Sequence, residues 1–218
     1  MKKIIIILTF AVCMLLLIGE GAQADILDLG GSFSYPIYSI VNGGATSFGG
    51  GSVDPSYLEG NALQYVYCID IDHLVYVPGS YEQTAVNNAA NIHGSPVNNA
   101  GEVAWLLATY GAPGQGYVAQ ALQAAIWTVI NGYDVYHLDT TNSPANVTAL
   151  YNTMLENVVG HTGLISDFFW ISPGHNDSNV VYQGLVAYSP VPISPTAYLL
   201  FTGLVGLYGI PRRFKVKQ

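Results

Sequence analysis

Between Asp25 and Pro211 this chain contains no lysine and no arginine. All six basic residues sit at its ends: Lys2 and Lys3 at one, Arg212, Arg213, Lys215 and Lys217 at the other. Of its 14 acidic residues, all except Glu20 fall inside the span that has no basic partner. A domain built from that span has no ion pair of the Lys/Arg type. Its carboxylates must be solvated, hydrogen-bonded or cation-bound, because a buried unpaired charge is too costly. Without a basic patch to neutralise phosphates, nucleic acid is excluded as a partner, and so is an anionic membrane surface. Net negative charge also keeps a secreted domain dispersed.

Cysteine is almost as scarce, with two in 218 residues. Cys13 lies in the apolar run Ile4 to Ile18, which follows Lys2 and Lys3 and precedes Ala22-Gln23-Ala24. A charged start, a short apolar run and a small-residue site describe a signal peptide over residues 1–24, cut after Ala24. The run is short for a retained membrane span. Cys13 leaves with it. Cys68 then stands alone in an oxidising compartment, which rules out an internal disulfide.

At the other end, Pro190, Pro192 and Pro195 precede an apolar segment, Thr196 to Ile210, and the basic tail follows. The positive-inside rule leaves that tail in the cytoplasm. As a helix the segment reaches roughly 22 Å, short of the ~30 Å hydrocarbon core, so it predicts a thin and transient span. Val191-Pro192-Ile193, Tyr198-Leu199-Leu200, the glycine-rich Gly203-Leu204-Val205-Gly206-Leu207 and Arg212-Arg213 come in a set order. This order resembles a PEP-CTERM sorting signal, in its Val-Pro-Leu-Pro variant. Ser194 stands where that variant has its second proline, and Pro195 follows one place late. The resemblance implies export in a Gram-negative bacterium that makes exopolysaccharide. It also implies transient association with the inner membrane, and processing by an exosortase-type enzyme for transfer or release at the cell surface.

Residues 25–189 remain, enough for one domain with its own core. Residues 25–60 alternate aromatic residues with glycine turns, which predicts short strands. The segment from Leu63 to Asp72 alternates in period two, predicting a strand with Cys68, Asp70 and Asp72 on one face. Asn98 or Asn99 is placed to cap a helix carrying Val103, Leu106 and Leu107 and ending near Gly111. Tyr117 to Ile130 repeats apolar residues at helical spacing, with Asn131-Gly132 as the stop. Ser143-Pro144 opens a third helix that ends at Gly160. Strands return at "GLISDFFWIS" and "SNVVYQGLVAYS". Strands, then helices, then strands predict an α+β domain: an antiparallel sheet or sandwich with an inserted helical subdomain.

Tyr67-Cys68-Ile69-Asp70 and, about 55 residues later, Gln123-Ala124-Ala125-Ile126-Trp127 form the chemically informative pair. Together they resemble the Cys-Gln thioester domain of bacterial surface adhesins, with Leu122 where threonine is usual. The resemblance implies an internal thioester between the Cys68 sulfur and the Gln123 carbonyl, formed with loss of ammonia. Tyr67, Asp70 and Trp127 take supporting places in the two motifs. An amine on a partner, a protein lysine or an amino sugar, then opens the bond and stays attached as an amide. The implied role is covalent adhesion or matrix attachment, not an enzyme's turnover, and it needs no cofactor. A domain without lysine cannot spend such a bond on its own side chains.

Such a condensation needs the thiol in near-attack geometry and hydrogen-bond donors for the tetrahedral intermediate. Those donors would be backbone N–H groups, a tyrosine hydroxyl or an imidazole. His73 is the nearest histidine in sequence, but odd spacing on a strand puts it on the face opposite Cys68. Asp70 either orients a proton carrier or serves its own turn, and its charge raises the thiol pKa. Two other readings compete. One is a cysteine hydrolase or transamidase using His93, His137, His161 or His175. The other is a non-reactive extracellular matrix protein with Cys68 as a small buried hydrophobe. No EF-hand loop is present and the histidines are scattered, so no metal site is assigned, while thirteen carboxylates leave Ca²⁺ binding open.

Overall fold

A computed structural model describes residues 25–31, 35–111, 116–174 and 180–189. The expected signal peptide, with Cys13, lies outside the described residues. So do His175 and the expected sorting signal with Pro192, Pro195, Arg212 and Arg213. The elements below belong to the first of two compact units, Met1–Tyr188 and Ser189–Gln218.

Among the described residues nine strands precede the helices: β1 (Asp25–Leu29), β2 (Tyr35–Val41), β3 (Gly44–Gly50), β4 (Ser56–Leu58), β5 (Asn61–Leu63), β6 (Val66–Cys68), β7 (Gly79–Asn87), β8 (Asn91–Ile92) and β9 (Ser95–Pro96). Helices α1 (Ala100–Tyr110) and α2 (Gly116–Asn131) follow, then β10 (Tyr136–Leu138) and helix α3 (Ala145–Val158). A 3₁₀ turn at Ile165–Asp167 leads into β11 (Phe168–Ser172) and β12 (Leu185–Tyr188).

The main sheet has seven strands in the order β5-β4-β1-β7-β11-β12-β6. Its ladders are antiparallel. A second sheet of three strands runs β10-β2-β3. In the β2–β3 hairpin, Asn42 and Gly43 both take positive φ, 49° and 79°. That is the two-residue turn whose twist suits a right-handed hairpin, and asparagine followed by glycine tolerates it at least cost. The three described helices lie in the chain between β7 and β11, which are neighbours in the sheet. The domain is therefore α+β with the helices inserted, as the order of segments predicts.

Helix α2 is the hub. It packs against α1, α3, β10, β2 and β3. Every residue from Ala119 to Val129 is buried. Alanines at 119, 121, 124 and 125 let neighbours approach closely on all sides, so the one-sided stripe of a surface helix is absent.

Two expectations fail for identifiable reasons, and one strand escapes a sequence reading altogether. The strand across residues 63–72 stops at Cys68, and Asp70 and Asp72 lie in a turn, not on a strand face. Asn99 does not cap α1: it adopts a left-handed conformation without a capping bond. Its side chain instead donates to the Val129 carbonyl of α2 at 2.7 Å. Strand β7 has no clean alternation because it is bulged. Thr84 and Tyr81, three apart, face Asp25 and Leu27, two apart, and Gln83 between them has φ 58°. One extra residue in a strand breaks the period on which a sequence reading depends.

Candidate functional site

Strand β6 closes one end of the main sheet. It pairs with β12, Cys68 standing opposite Leu185. Its other edge is covered by two unlike groups. The Val53 N–H donates to the Val66 carbonyl at 2.9 Å. Beyond that point the edge is met by a side chain. The Cys68 N–H donates to Gln123 Oε1 at 2.9 Å, and Gln123 Nε2 donates to the Cys68 carbonyl at 2.5 Å. The carboxamide thus occupies the place a further strand would take. Both Cys68 and Gln123 are 0% exposed.

Glycine makes this approach possible. A Cβ on Gly50 would meet Ile37 Cδ1 at 2.1 Å and Gln123 Cγ at 3.3 Å. The backbone of β3 therefore lies directly against the Gln123 stem, where a side chain would intrude. The glycine-rich run Gly49-Gly50-Gly51 is the sequence signal for this contact, although it first reads as turn material.

The pairing has a chemical direction. A backbone N–H aimed at Oε1 polarises the carbonyl and is placed to stabilise the oxyanion that forms when a nucleophile adds to it. The donor belongs to Cys68, the residue that carries the thiol. Burial, and then the Asp70 carboxylate, push that thiol well above its ordinary value. The sulfur is accordingly held as a thiol, not a thiolate.

The surroundings are dry and aromatic. Trp127, one helical turn after Gln123, is 1% exposed and meets Phe48 and Tyr136 edge-on, each at 5.4 Å. Tyr65 and Tyr67 pack edge to face at 5.8 Å. Burial pushes the Tyr65 hydroxyl up to about 12 and drives Tyr67 higher still. Tyr65 bonds the Leu107 carbonyl. The Tyr67 hydroxyl, the Trp127 Nε1 and the Ser52 hydroxyl are buried without a hydrogen-bond partner. Trp105 is only partly buried and packs at a tilt against His161, ring centroids 4.8 Å apart.

Asp70 organises the turn that leaves β6. Its Oδ1 accepts from the Asp72 N–H at 2.7 Å and the His73 N–H at 3.0 Å. Its Oδ2 accepts from the Gly184 N–H at 3.3 Å and meets His73 Nδ1 at 2.8 Å. Gln183 donates to the Asp70 carbonyl from the segment entering β12. His73 is therefore not on an opposite strand face: it sits in the turn, held by Asp70. Of the other described histidines, His93 lies beside His73, the two ring centroids 6.2 Å apart, and His137 and His161 pack elsewhere. His93 bonds the Tyr182 carbonyl at 2.7 Å, and His137 the Tyr133 carbonyl at 2.9 Å. Among the described residues no group of three or more His, Cys, Asp or Glu gathers into a metal site.

The structure thus brings Cys68, Gln123 and the flanking Tyr67 and Trp127 into one buried region, with Asp70 at its rim. Sequence reasoning missed Gly50 and Gln183. Gln183 has no local signal at all, because it arrives from 113 residues further on.

No curated protein and no solved structure matches this chain. A family model does, described as "TED: Thioester domain", and its match over residues 65–159 takes in Tyr67, Cys68, Asp70, Gln123 and Trp127.

Proposed function

We propose that Cys68 and Gln123 condense into an internal thioester, which an amine on a partner molecule then opens to leave a covalent amide link. The observation that carries this reading is the two-point pairing of the Gln123 carboxamide with the main chain of Cys68. It holds the electrophilic carboxamide against the residue that carries the thiol, and an intramolecular step in near-attack geometry gains effective molarities of roughly 10⁵–10⁸ M. The family match supports the same chemistry. In the condensation, the Sγ–Cδ bond forms, the Cδ–Nε2 bond breaks and ammonia leaves. Opening by an amine reverses the roles: nitrogen bonds to Cδ, and sulfur departs with a proton.

The site is single-use, so the protein acts as a covalent binding module and not as a turnover enzyme. Tyr67 and Trp127 exclude water that would hydrolyse the bond, and Asp70 fixes the turn beside it. A surface pocket of about 170 Å³ opens next to Ile69 and Asp70, with Ile92, Val97 and Ile130 in its wall. Apolar walls around one carboxylate suit the stem and charge of an alkylammonium group. We place the protein at the cell surface or in the extracellular matrix of a Gram-negative bacterium. Residues 1–24 direct export, and residues 190–218, with Pro192, Pro195, Arg212 and Arg213, are read by an exosortase-type enzyme. Among the described residues no helix is long and apolar enough to cross a membrane. The expected span from Thr196 to Ile210 lies outside them.

Incubation with a fluorescent primary alkylamine tests the reading. Label should survive denaturing electrophoresis, map to Gln123 and vanish in Cys68→Ala. Label that persists in Cys68→Ala would contradict it, as would turnover of an ester or amide substrate that depends on Cys68.

A further inference from the structure

The second sheet stops at β3, and the backbone of that strand is satisfied on one side only. In the β2–β3 ladder Val41 faces Gly44 across the two-residue turn, and the pairs run in step to Tyr35 and Gly50. A turn of this length is closed by a hydrogen-bonded pair, and bonded pairs then alternate with unbonded ones. Gly44, Thr46, Phe48 and Gly50 therefore direct their backbone groups to β2, while Ala45, Ser47 and Gly49 turn theirs outward. Pro36, which has no N–H to give, faces Gly49 at an unbonded pair, as this register requires. Three N–H and three C=O groups thus line the outer edge, and among the described residues no strand or loop bonds to them.

Other sheet ends are covered. Val53 and the Gln123 carboxamide meet β6. On β10 the Leu138 N–H donates to the Tyr151 hydroxyl at 3.4 Å. Strand β3 has none of the devices that blunt an edge: no proline, no charged side chain and no bulge in its register. Gly44, Ala45, Thr46, Ser47 and Gly49 are all exposed. Residues 35–50 carry no charge at all, in a chain whose span from Asp25 to Pro211 holds thirteen carboxylates and no basic side chain.

Alternating N–H and C=O groups at strand spacing are matched by an extended polypeptide. A second copy of β3 matches them symmetrically, because the three outward residues are centred on Ser47. A two-fold axis there sets Ser47 opposite its own copy and Ala45 opposite Gly49, each at a hydrogen-bonding position, and all six groups find partners. On one face only alanine, serine and glycine meet. On the other, Thr46 comes beside Phe48 of the second copy, a favourable pairing of β-branched with aromatic side chain. An uncharged edge is also where two copies of an anionic domain meet at least electrostatic cost.

We propose that β3 is a self-association edge, through which two copies pair antiparallel over residues 45–49 and join their three-stranded sheets into one. A single strand pair buries little area, so the association is weak and follows concentration. Gly50, the last residue of the same strand, lies against the Gln123 stem. Pairing therefore puts two Cys68–Gln123 junctions in one assembly, and two sites that engage one surface hold it more tightly than either alone. The edge itself does not depend on the thioester.

Sedimentation velocity of the full chain over a wide range of concentration tests this. The mass should climb from one copy to two, and Cys68→Ala should behave alike. Ser47→Glu sets two carboxylates opposite each other at the axis and should raise the dimer dissociation constant at least about tenfold, while Ser47→Thr should pair like the wild type. Residue-resolved hydrogen exchange gives a second readout. The amides of Ala45, Ser47 and Gly49 should exchange fast in dilute protein and slowly in concentrated protein, whereas those of Thr46 and Phe48 stay slow throughout. A chain that remains a single copy at every concentration would overturn the pairing and leave the edge to another polypeptide. So would a dimer that Ser47→Glu does not weaken, or one in which the three outward amides stay fast.

Discussion

The carboxamide of Gln123 is hydrogen-bonded at both ends to the main chain of Cys68, at 2.9 Å through its oxygen and 2.5 Å through its nitrogen. A helix side chain here completes the edge of a sheet. The residue that receives it carries the free, buried cysteine. Structural and chemical roles therefore coincide in the same two groups and can be separated by substitution.

Gln123→Ala removes both bonds and leaves the buried Cys68 N–H and C=O without partners. Measured against Cys68→Ala, which lacks the thiol but keeps the pairing, it should be less stable by about 2–4 kcal/mol in urea denaturation. Equal stability of the two variants would show that the pairing is not a structural element.

Gly50→Ala acts on the same junction from the other side. The added methyl would strike Ile37 and press on Gln123 Cγ. Overpacking of this kind costs about 1–3 kcal/mol. It should also displace the carboxamide, so amine labelling should fall further than stability does. Full labelling in a destabilised Gly50→Ala would indicate that the close approach of β3 does not position the glutamine.

Asp70 and His73 should prove unequal. Asp70→Ala strips acceptors from the N–H groups of Asp72, His73 and Gly184 and should cost about 2–3 kcal/mol. His73→Ala removes one partly exposed contact and should cost no more than about 1 kcal/mol. Thermal unfolding of the two variants measures the difference. A reversed order would mean that the imidazole, not the carboxylate, holds the turn.

The state of the sulfur should be visible in the pH dependence of stability. In the uncondensed protein the folded state raises the thiol pKa above its ordinary value, chiefly by burial. The unfolded chain then loses its proton first as pH rises, so it binds fewer protons than the folded chain, and stability falls with pH. The contribution is intact below about 9 and is lost progressively above it. Gln123→Ala, which keeps the thiol, should show this decline. Cys68→Ala should lack the cysteine share of it, and so should a thioester, whose sulfur carries no proton. The buried tyrosines add a decline at higher pH in every variant, so the comparison is best made between 8.5 and 10, roughly the range in which a thiol titrates first. Identical slopes in the two variants would contradict a buried thiol.

Much of the fold is legible because its helices announce themselves. Val118, Leu122, Ala125 and Val129 recur at helical spacing, and Asn131-Gly132 ends the run. The strand order is not legible, since β7 pairs with β11 across three helices and its bulge at Gln83 erases the alternation. The end of β6 is hidden for the opposite reason. Ile69, Asp70, Ile71 and Asp72 alternate like a strand, yet Asp70 takes the N–H groups ahead of it and turns the chain. The Cys68 and Gln123 motifs can be picked out along the chain. What joins them is hard to read: Gly50 comes from a glycine run that first reads as turn material, and Gln183 comes from a distant segment with no pattern of its own.

The central claim reduces to one atom balance. Intact mass of the freshly purified protein should fall short of its sequence mass by one ammonia. Methylamine should replace that deficit with the mass of one added amine, and Cys68→Ala should show neither change. Full sequence mass with a titratable thiol at Cys68 would contradict the account.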